Sequence, residues 1–184
     1  MMSVNRGLLP QQKENARHGE ADFPVVRYRT TLHATYQDVP PHWHEEAELT
    51  LITRGTSTYT VQLLSEDVRE GDILFVPPQM LHAVTTGGAE MDSDTFVFHP
   101  NLLGAATADV CTLRYLAPLS TQKLIPPLVI RREHPLYDRL LGLIRDMNRN
   151  WETREPGWEL MVKAQLLTAL AWLVPYCSKD SGEM

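Results

Sequence analysis

Three histidines and one glutamate carry the chemistry this sequence offers most plainly. In His42-Trp43-His44-Glu45-Glu46-Ala47-Glu48, followed by Gly55, the residues His42, His44 and Glu48 are separated by even numbers of positions. Alternate side chains of an extended strand share a face, so these three are expected to point the same way. Two imidazoles and a carboxylate on one face suit a divalent cation, with neutral nitrogen and anionic oxygen as donors. His82, at the end of Gly71-Asp72-Ile73-Leu74-Phe75-Val76-Pro77-Pro78-Gln79-Met80-Leu81-His82, is a fourth candidate if a neighbouring strand of a closed barrel sets it opposite the others. Zinc or nickel is the expected occupant, with iron or manganese also compatible. The competing reading is a polar patch that hydrogen-bonds a ligand directly.

Other side chains are candidates for the same space. Arg54 shares parity with Glu48, Thr50 and Ile52 and is expected to point inward, where a guanidinium needs a partner. That partner is either a bidentate acceptor on a ligand or a carboxylate at the rim, Glu45 or Glu70. Tyr28, Tyr59 and the same-face pair Phe96 and Phe98 are expected as aromatic walls of a binding cavity. Trp43 is a weaker candidate, because parity sets it opposite His42 and His44. His18, His33, His99 and His134 have no partner at useful spacing and read as incidental. No nucleophile and base stand in register, so covalent hydrolysis finds no support.

The elements that must position these groups follow from periodicity. Residues 1–22 are polar and aperiodic and read as a flexible tail. Over 23–132, short apolar runs broken by turn residues predict a barrel or sandwich, with strands at 25–31, 47–53, 57–63, 72–76, 81–85, 95–99 and 128–131. Arg54-Gly55 reads as the start of a hairpin connection. Over 133–177 the period turns helical: Leu136, Leu140, Leu141, Ile144, Met147 and Trp151 form one apolar face, and a second helix runs over 158–174 between Pro156-Gly157 and Pro175. The fold class expected is mainly β with α, a barrel followed by two packed helices forming an antiparallel hairpin. The second helix is apolar on nearly every side, so part of it, including Leu166, Leu170 and Leu173, is expected to meet a second subunit. Residues 178–184 read as a polar linker stub.

Composition narrows the partners. A net charge of -6 would repel a phosphate backbone, and no stripe of Lys and Arg offsets it, so this chain by itself is not expected to hold DNA. Cys111 and Cys177 show no paired spacing, which fits free thiols in a reducing compartment. The amino-terminal stretch lacks the apolar run of a secretion signal and no segment is long enough to span a bilayer. A cytoplasmic location with no membrane partner is expected.

The two motif-bearing stretches resemble the sequence motifs of cupins. His42, His44, Glu48 and Gly55 fall at the positions of the first motif, and Gly71, Pro77 and His82 at those of the second. Tyr36, Gln79 and Thr86 stand where that family has glycine, glycine and asparagine, which affects loops rather than ligands. Leu51-Ile52-Thr53-Arg54-Gly55, the stretch Arg69 to Pro78, His134-Pro135-Leu136-Tyr137 and the stretch Gly157 to Leu167 resemble the sensor branch of AraC-type transcription regulators. The likeness covers about residues 24 to 175. It implies a cupin barrel that binds a small-molecule effector, an arginine at Arg54 that contacts it, a homodimer through paired helices, and DNA contact only through a helix-turn-helix domain that follows. By that likeness the polar end is expected to lead into such a domain. A stand-alone metal-dependent cupin enzyme, of dioxygenase or isomerase type, is the alternative.

Overall fold

In the computed structural model, which describes residues 8–104, 107 and 109–179, one long strand organises the molecule. This is β3 (Ala47–Val61), the third of seven strands that run from β1 (Val25–Leu32) and β2 (Asp38–His42) through β4 (Leu64–Arg69), β5 (Ile73–Val76) and β6 (His82–Thr85) to β7 (Met91–Phe98). The first half of β3 pairs with β5 and β7, and β7 with β1. Its second half pairs with β4 and β6, and β6 with β2. All these pairings are antiparallel, and the shared strand folds the two halves of the sheet around a common interior. The fold is mainly β with α: a barrel of antiparallel strands followed by two packed helices.

The corner lies where the sequence suggested a hairpin. Ile52 pairs with Ser93 and Arg54 with Asp92, so β3 carries one extra residue against β7, a β-bulge. Gly55 follows at φ 77°, and a Cβ there would run into the Glu90 carbonyl. The strand therefore bends and continues. The actual hairpin turn is Gln62-Leu63, between β3 and β4. Neither β4 nor β2 was expected: β4 is polar, and β2 holds two prolines, which its place beside β6 alone tolerates.

Two apolar layers result. Leu32, Ile52, Tyr59, Leu74, Val84 and Met91 fill the barrel interior. Leu49, Ile73, Phe75, Phe96 and Phe98 lie on the outer face of the same sheet, covered by the helices. That is why β5 reads Ile-Leu-Phe-Val with every residue buried: each of its faces meets a core.

A wide helical turn (Thr112–Leu116) leads into α1 (Ala117–Ser120), both absent from the sequence reading, then to the short strands β8 (Leu124–Ile125) and β9 (Val129–Ile130). The helix α2 (Tyr137–Thr153) buries Leu140, Ile144 and Met147, as its spacing required. It ends at Arg154, left-handed at φ 48°, and α3 (Trp158–Leu173) packs back along it. Phe23, Trp151 and Trp158 cluster at the turn between them. On the barrel side, Arg27 bridges Asp94 and Glu152 at 2.9 Å each, tying β1 to α2.

Two expectations need correction here. Leu166, Leu170 and Leu173 are not on a free face: all three are buried in the layer between helices and barrel. The apolar surface α3 leaves open is instead Leu160, 73% exposed, and Met161, 51% exposed, with Ala164 and Ala171 along the same helix. Residues 8–22 are also no loose tail. A tight turn at Pro10–Gln12 leads to Lys13, which bridges Trp43 in parallel, and Glu14 N–H donates to the Trp43 carbonyl at 2.9 Å. Residues 1–7 and 180–184, parts of the expected tail and stub, lie outside the described residues. The start of the stub, β10 (Ser178–Lys179), pairs with β8.

Candidate functional site

His42 and His44 do not share a strand with Glu48, yet the three side chains converge as expected. β2 stops at His42 and β3 starts at Ala47, with His44 on the link between them. An extra residue in β2 between Val39 and His42 turns His42 inward, directly across from His82 on β6. The ring centroids of His42 and His82 are 4.2 Å apart, those of His44 and His82 5.0 Å. One nitrogen from each of His42, His44 and His82 falls within 4.8 Å of the others. Glu48 closes the group from β3: its Oε1 lies 3.2 Å from His44 Nε2 and 3.7 Å from His82 Nε2.

Backbone carbonyls set the orientation of two rings. A carbonyl oxygen only accepts, so Nδ1 of His82 donates to Met80 at 2.8 Å and Nδ1 of His42 donates to Pro40 at 2.9 Å. Both rings thereby present Nε2 to the centre of the group, the arrangement that outer hydrogen bonds impose on metal-binding imidazoles. His82 Nε2 and His44 Nδ1 are buried without a hydrogen-bond partner. An unpartnered buried nitrogen is costly in a cavity of this kind, and a cation would relieve it. The residues present fit a divalent metal.

Charge reinforces the grouping. Burial alone would raise the Glu48 carboxyl, but the charge of the neighbouring His82 and the hydrogen bond from His44 outweigh it and hold the group well below the usual carboxylate range. Burial opposes protonation of His82, and the Glu48 carboxylate more than offsets this, so its pKa is raised. For His42 burial wins, aided by the neighbouring His82, and the pKa is lowered.

The group sits at the mouth of a cavity of about 320 Å³. Thr30, Ser93, Thr95 and Tyr59 supply hydroxyls to its wall, and Leu32, Val84, Met91 and Val97 the apolar surface. Tyr28 and Tyr59 both line it, and burial beside Glu48 pushes the Tyr59 hydroxyl upward. Four other sequence candidates lie elsewhere. The bulge before Arg54 reverses its parity, so its side chain is 55% exposed on the outside, with Nε donating to Asp92 at 2.7 Å and Nη1 3.2 Å from Glu90. The same reversal carries Tyr59 inward. Phe96 and Phe98 do share a face, but it is the helix-covered one, while Ser93, Thr95 and Val97 face the cavity. Trp43 stacks under Lys13 and donates from Nε1 to the Leu9 carbonyl at 3.0 Å, outside the cavity.

Sequence reasoning missed Glu14 and His18. Both line the cavity mouth, and His18, read as incidental, is buried with Nδ1 3.0 Å from the Tyr28 hydroxyl. No periodicity in residues 1–22 placed them on an element; only their spacing of four hinted at a contact.

The sequence profile of the AraC-like ligand binding domain matches residues 24–170. The chain belongs to this family. A curated relative of this AraC-like domain is the uncharacterised HTH-type transcriptional regulator YdeC of Bacillus subtilis (strain 168), 24% identical over 168 residues. The match covers 87% of this chain and 54% of that protein, so the AraC-like chain spans about half the length of the relative. Among solved structures, a cupin superfamily protein from Desulfitobacterium hafniense DCB-2 is similar to it at 20% identity and a TM-score of 0.40, over 44% of this chain and 72% of that one. A cupin-like protein from Thermotoga maritima is similar at 18% identity and a TM-score of 0.39, over 41% and 58%. A mutant of Bacillus subtilis oxalate decarboxylase is similar at 20% identity and a TM-score of 0.37, over 41% and 21%. No helix among the described residues of the AraC-like domain is long and apolar enough to cross a membrane.

Proposed function

We propose that this AraC-like domain senses a small, oxygen-rich effector in its barrel cavity, and that a divalent cation held by His42, His44, Glu48 and His82 anchors the effector there. The observation that carries this reading is the pair of carbonyl-oriented imidazoles, His42 and His82, aimed with Glu48 into a hydroxyl-lined cavity of about 320 Å³. That volume, at the small end for ligand pockets, suits a molecule of metabolite size. Zinc or nickel suits the nitrogen-rich donor set best, and the ion would supply a fixed positive charge for ligand oxygens. The protein's own side chains do the rest: Tyr28, Thr30 and Ser93 orient the ligand by hydrogen bonds, and Leu32, Val84 and Met91 exclude water from it.

The open stripe of α3, Leu160, Met161, Ala164 and Ala171, is the surface we assign to a homodimer. Contact with DNA is assigned to a helix-turn-helix unit of the whole regulator, since this chain is acidic. Free Cys111 and Cys177 support a reducing, cytoplasmic setting. Effector binding acts on regulation only through a difference in affinity between two arrangements of barrel and helices.

The test is a thermal-shift screen of sugars, hydroxy acids and dicarboxylates with nickel- or zinc-loaded protein. A hit that stabilises the loaded protein, and loses its effect in His44→Ala/Glu48→Ala, is the expected result. A hit that binds equally well to that variant would remove the cation from the site. A second reading, a metal-dependent cupin enzyme of dioxygenase or isomerase type, is favoured by the cavity open beside the imidazoles. Conversion of a bound ligand to product by the loaded protein would decide for it.

A further inference from the structure

We infer that Glu14 and His18, with His44, form a second seat for a divalent transition-metal ion at the cavity mouth, beside the barrel group. One donor atom from each of the three lies within 4.8 Å of the other two. Glu14 Oε2 is 3.2 Å from His18 Nε2, close to the edge of about 3.4 Å that two donors make around a tetrahedral ion with bonds near 2.1 Å. The rings of His18 and His44 stand 5.1 Å apart, centroid to centroid.

The residues are prepared for this in three ways. His18 is 6% exposed, and the Tyr28 hydroxyl at its Nδ1 turns Nε2 toward Glu14, the kind of outer contact that orients a ligating imidazole. His44 is also buried and keeps one nitrogen, Nδ1, without a hydrogen-bond partner. Its two nitrogens leave opposite edges of the ring, so His44 can serve the barrel group and the mouth group together as a bridging imidazolate, its one N–H proton passing to solvent as the second ion binds. Charge points the same way. Glu14, Glu46 and Glu48 approach four imidazoles, with Glu46 Oε2 3.5 Å from His44 Nδ1 and Glu14 Oε2 3.7 Å from His42 Nε2. One divalent ion balances only two of three carboxylates; the third carboxylate and the His44 imidazolate together balance a second.

The seat is built from both ends of the site. Its carboxylate and one imidazole come from residues 8–22, which the bridge from Lys13 to Trp43 holds at the mouth, and its third ligand comes from the link between β2 and β3. Filling it would fasten the amino-terminal segment to the barrel.

Metal stoichiometry after equilibrium dialysis against zinc or nickel tests this directly. The unaltered chain is expected to hold about two ions, and Glu14→Gln/His18→Ala and His42→Ala/His82→Ala about one each. One ion in the unaltered chain, kept by the Glu14/His18 variant and lost by the His42/His82 variant, overturns the second seat while the barrel site stands. One ion lost by the Glu14/His18 variant and kept by the other leaves the mouth seat and removes the barrel site. No ion in the unaltered chain overturns both. Should Glu14→Gln/His18→Ala fail to fold by circular dichroism, Glu14→Gln alone serves: a weaker second ion is expected, and two ions of unchanged affinity overturn the assignment.

Discussion

Nδ1 of His82 donates to the Met80 carbonyl at 2.8 Å while Nε2 of the same ring lies 3.7 Å from Glu48. One hydrogen bond thus decides which nitrogen faces the cavity, and the other nitrogen has no hydrogen-bond donor or acceptor of its own. Replacing His44 and Glu48 together by alanine is expected to lower affinity for nickel or zinc at the barrel site by about tenfold to a hundredfold or more, without unfolding the chain. Competition with a chromogenic chelator, alongside a thermal melt, measures both. Unchanged affinity would take these residues out of the site.

The raised pKa of His82 makes metal binding pH-dependent. The proton that the Glu48 carboxylate stabilises on His82 must leave before Nε2 can ligate, so affinity is expected to rise by about tenfold per pH unit, one proton released per ion, until the folded pKa of His82 is passed. Titrations at pH 6 and pH 8 read this out, and His82→Gln is expected to flatten the slope.

Stability of the metal-free chain carries the same groups with opposite signs. His82 binds its proton more tightly folded than unfolded, so its contribution is complete below the unfolded value near 6.5 and fades as pH rises through the folded one. His42, lowered by burial and by His82, disfavours the folded state as pH falls below about 6.5. Glu48, held low against its burial, stabilises above an unfolded value near 4.3 and loses that effect as pH falls toward its folded pKa. Urea unfolding of His42→Gln against the unaltered chain is expected to show the variant gaining relative stability as pH drops from about 7 to 5.5.

Gly55→Ala is expected to cost about 2 to 4 kcal/mol in urea unfolding, because a Cβ would meet the Glu90 carbonyl at a left-handed φ. Arg54→Ala, one residue earlier, is expected to leave metal and effector affinity within about twofold, since its guanidinium pairs outside with Asp92 and Glu90. A large loss of effector affinity in Arg54→Ala would mean that the arginine reaches the cavity after all.

On α3, Leu160→Glu is expected to shift sedimentation toward monomer with little change in melting, whereas Leu166→Ala is expected to cost about 2 to 4 kcal/mol and leave association intact. The reverse pattern would return the interface to the buried leucines.

The sequence made the barrel, the helical hairpin and the pairing of His42, His44 and Glu48 with His82 legible, because two-residue and 3.6-residue periods and the two motifs are local signals. What it hid depended on register. A single bulge at Ile52–Arg54 reverses every later side chain of β3, which expelled Arg54, while Tyr59, expected at the cavity, owes its inward direction to that same bulge. Phe96 and Phe98 misled for a different reason: the sheet buries both faces, so hydrophobicity does not tell the inner from the outer. Glu14 and His18 were invisible because an aperiodic segment gives no face to reason from.

Arg27 and Tyr28 are neighbours on β1 whose side chains leave opposite sides of the strand. Tyr28 touches the cavity and His18, while Arg27 grips Asp94 and Glu152 against the helical hairpin. A single peptide unit therefore separates the side chain that lines the cavity from the one that ties β1 to α2. β1 thus carries, on two adjacent residues, one contact with the cavity and one with the helical hairpin.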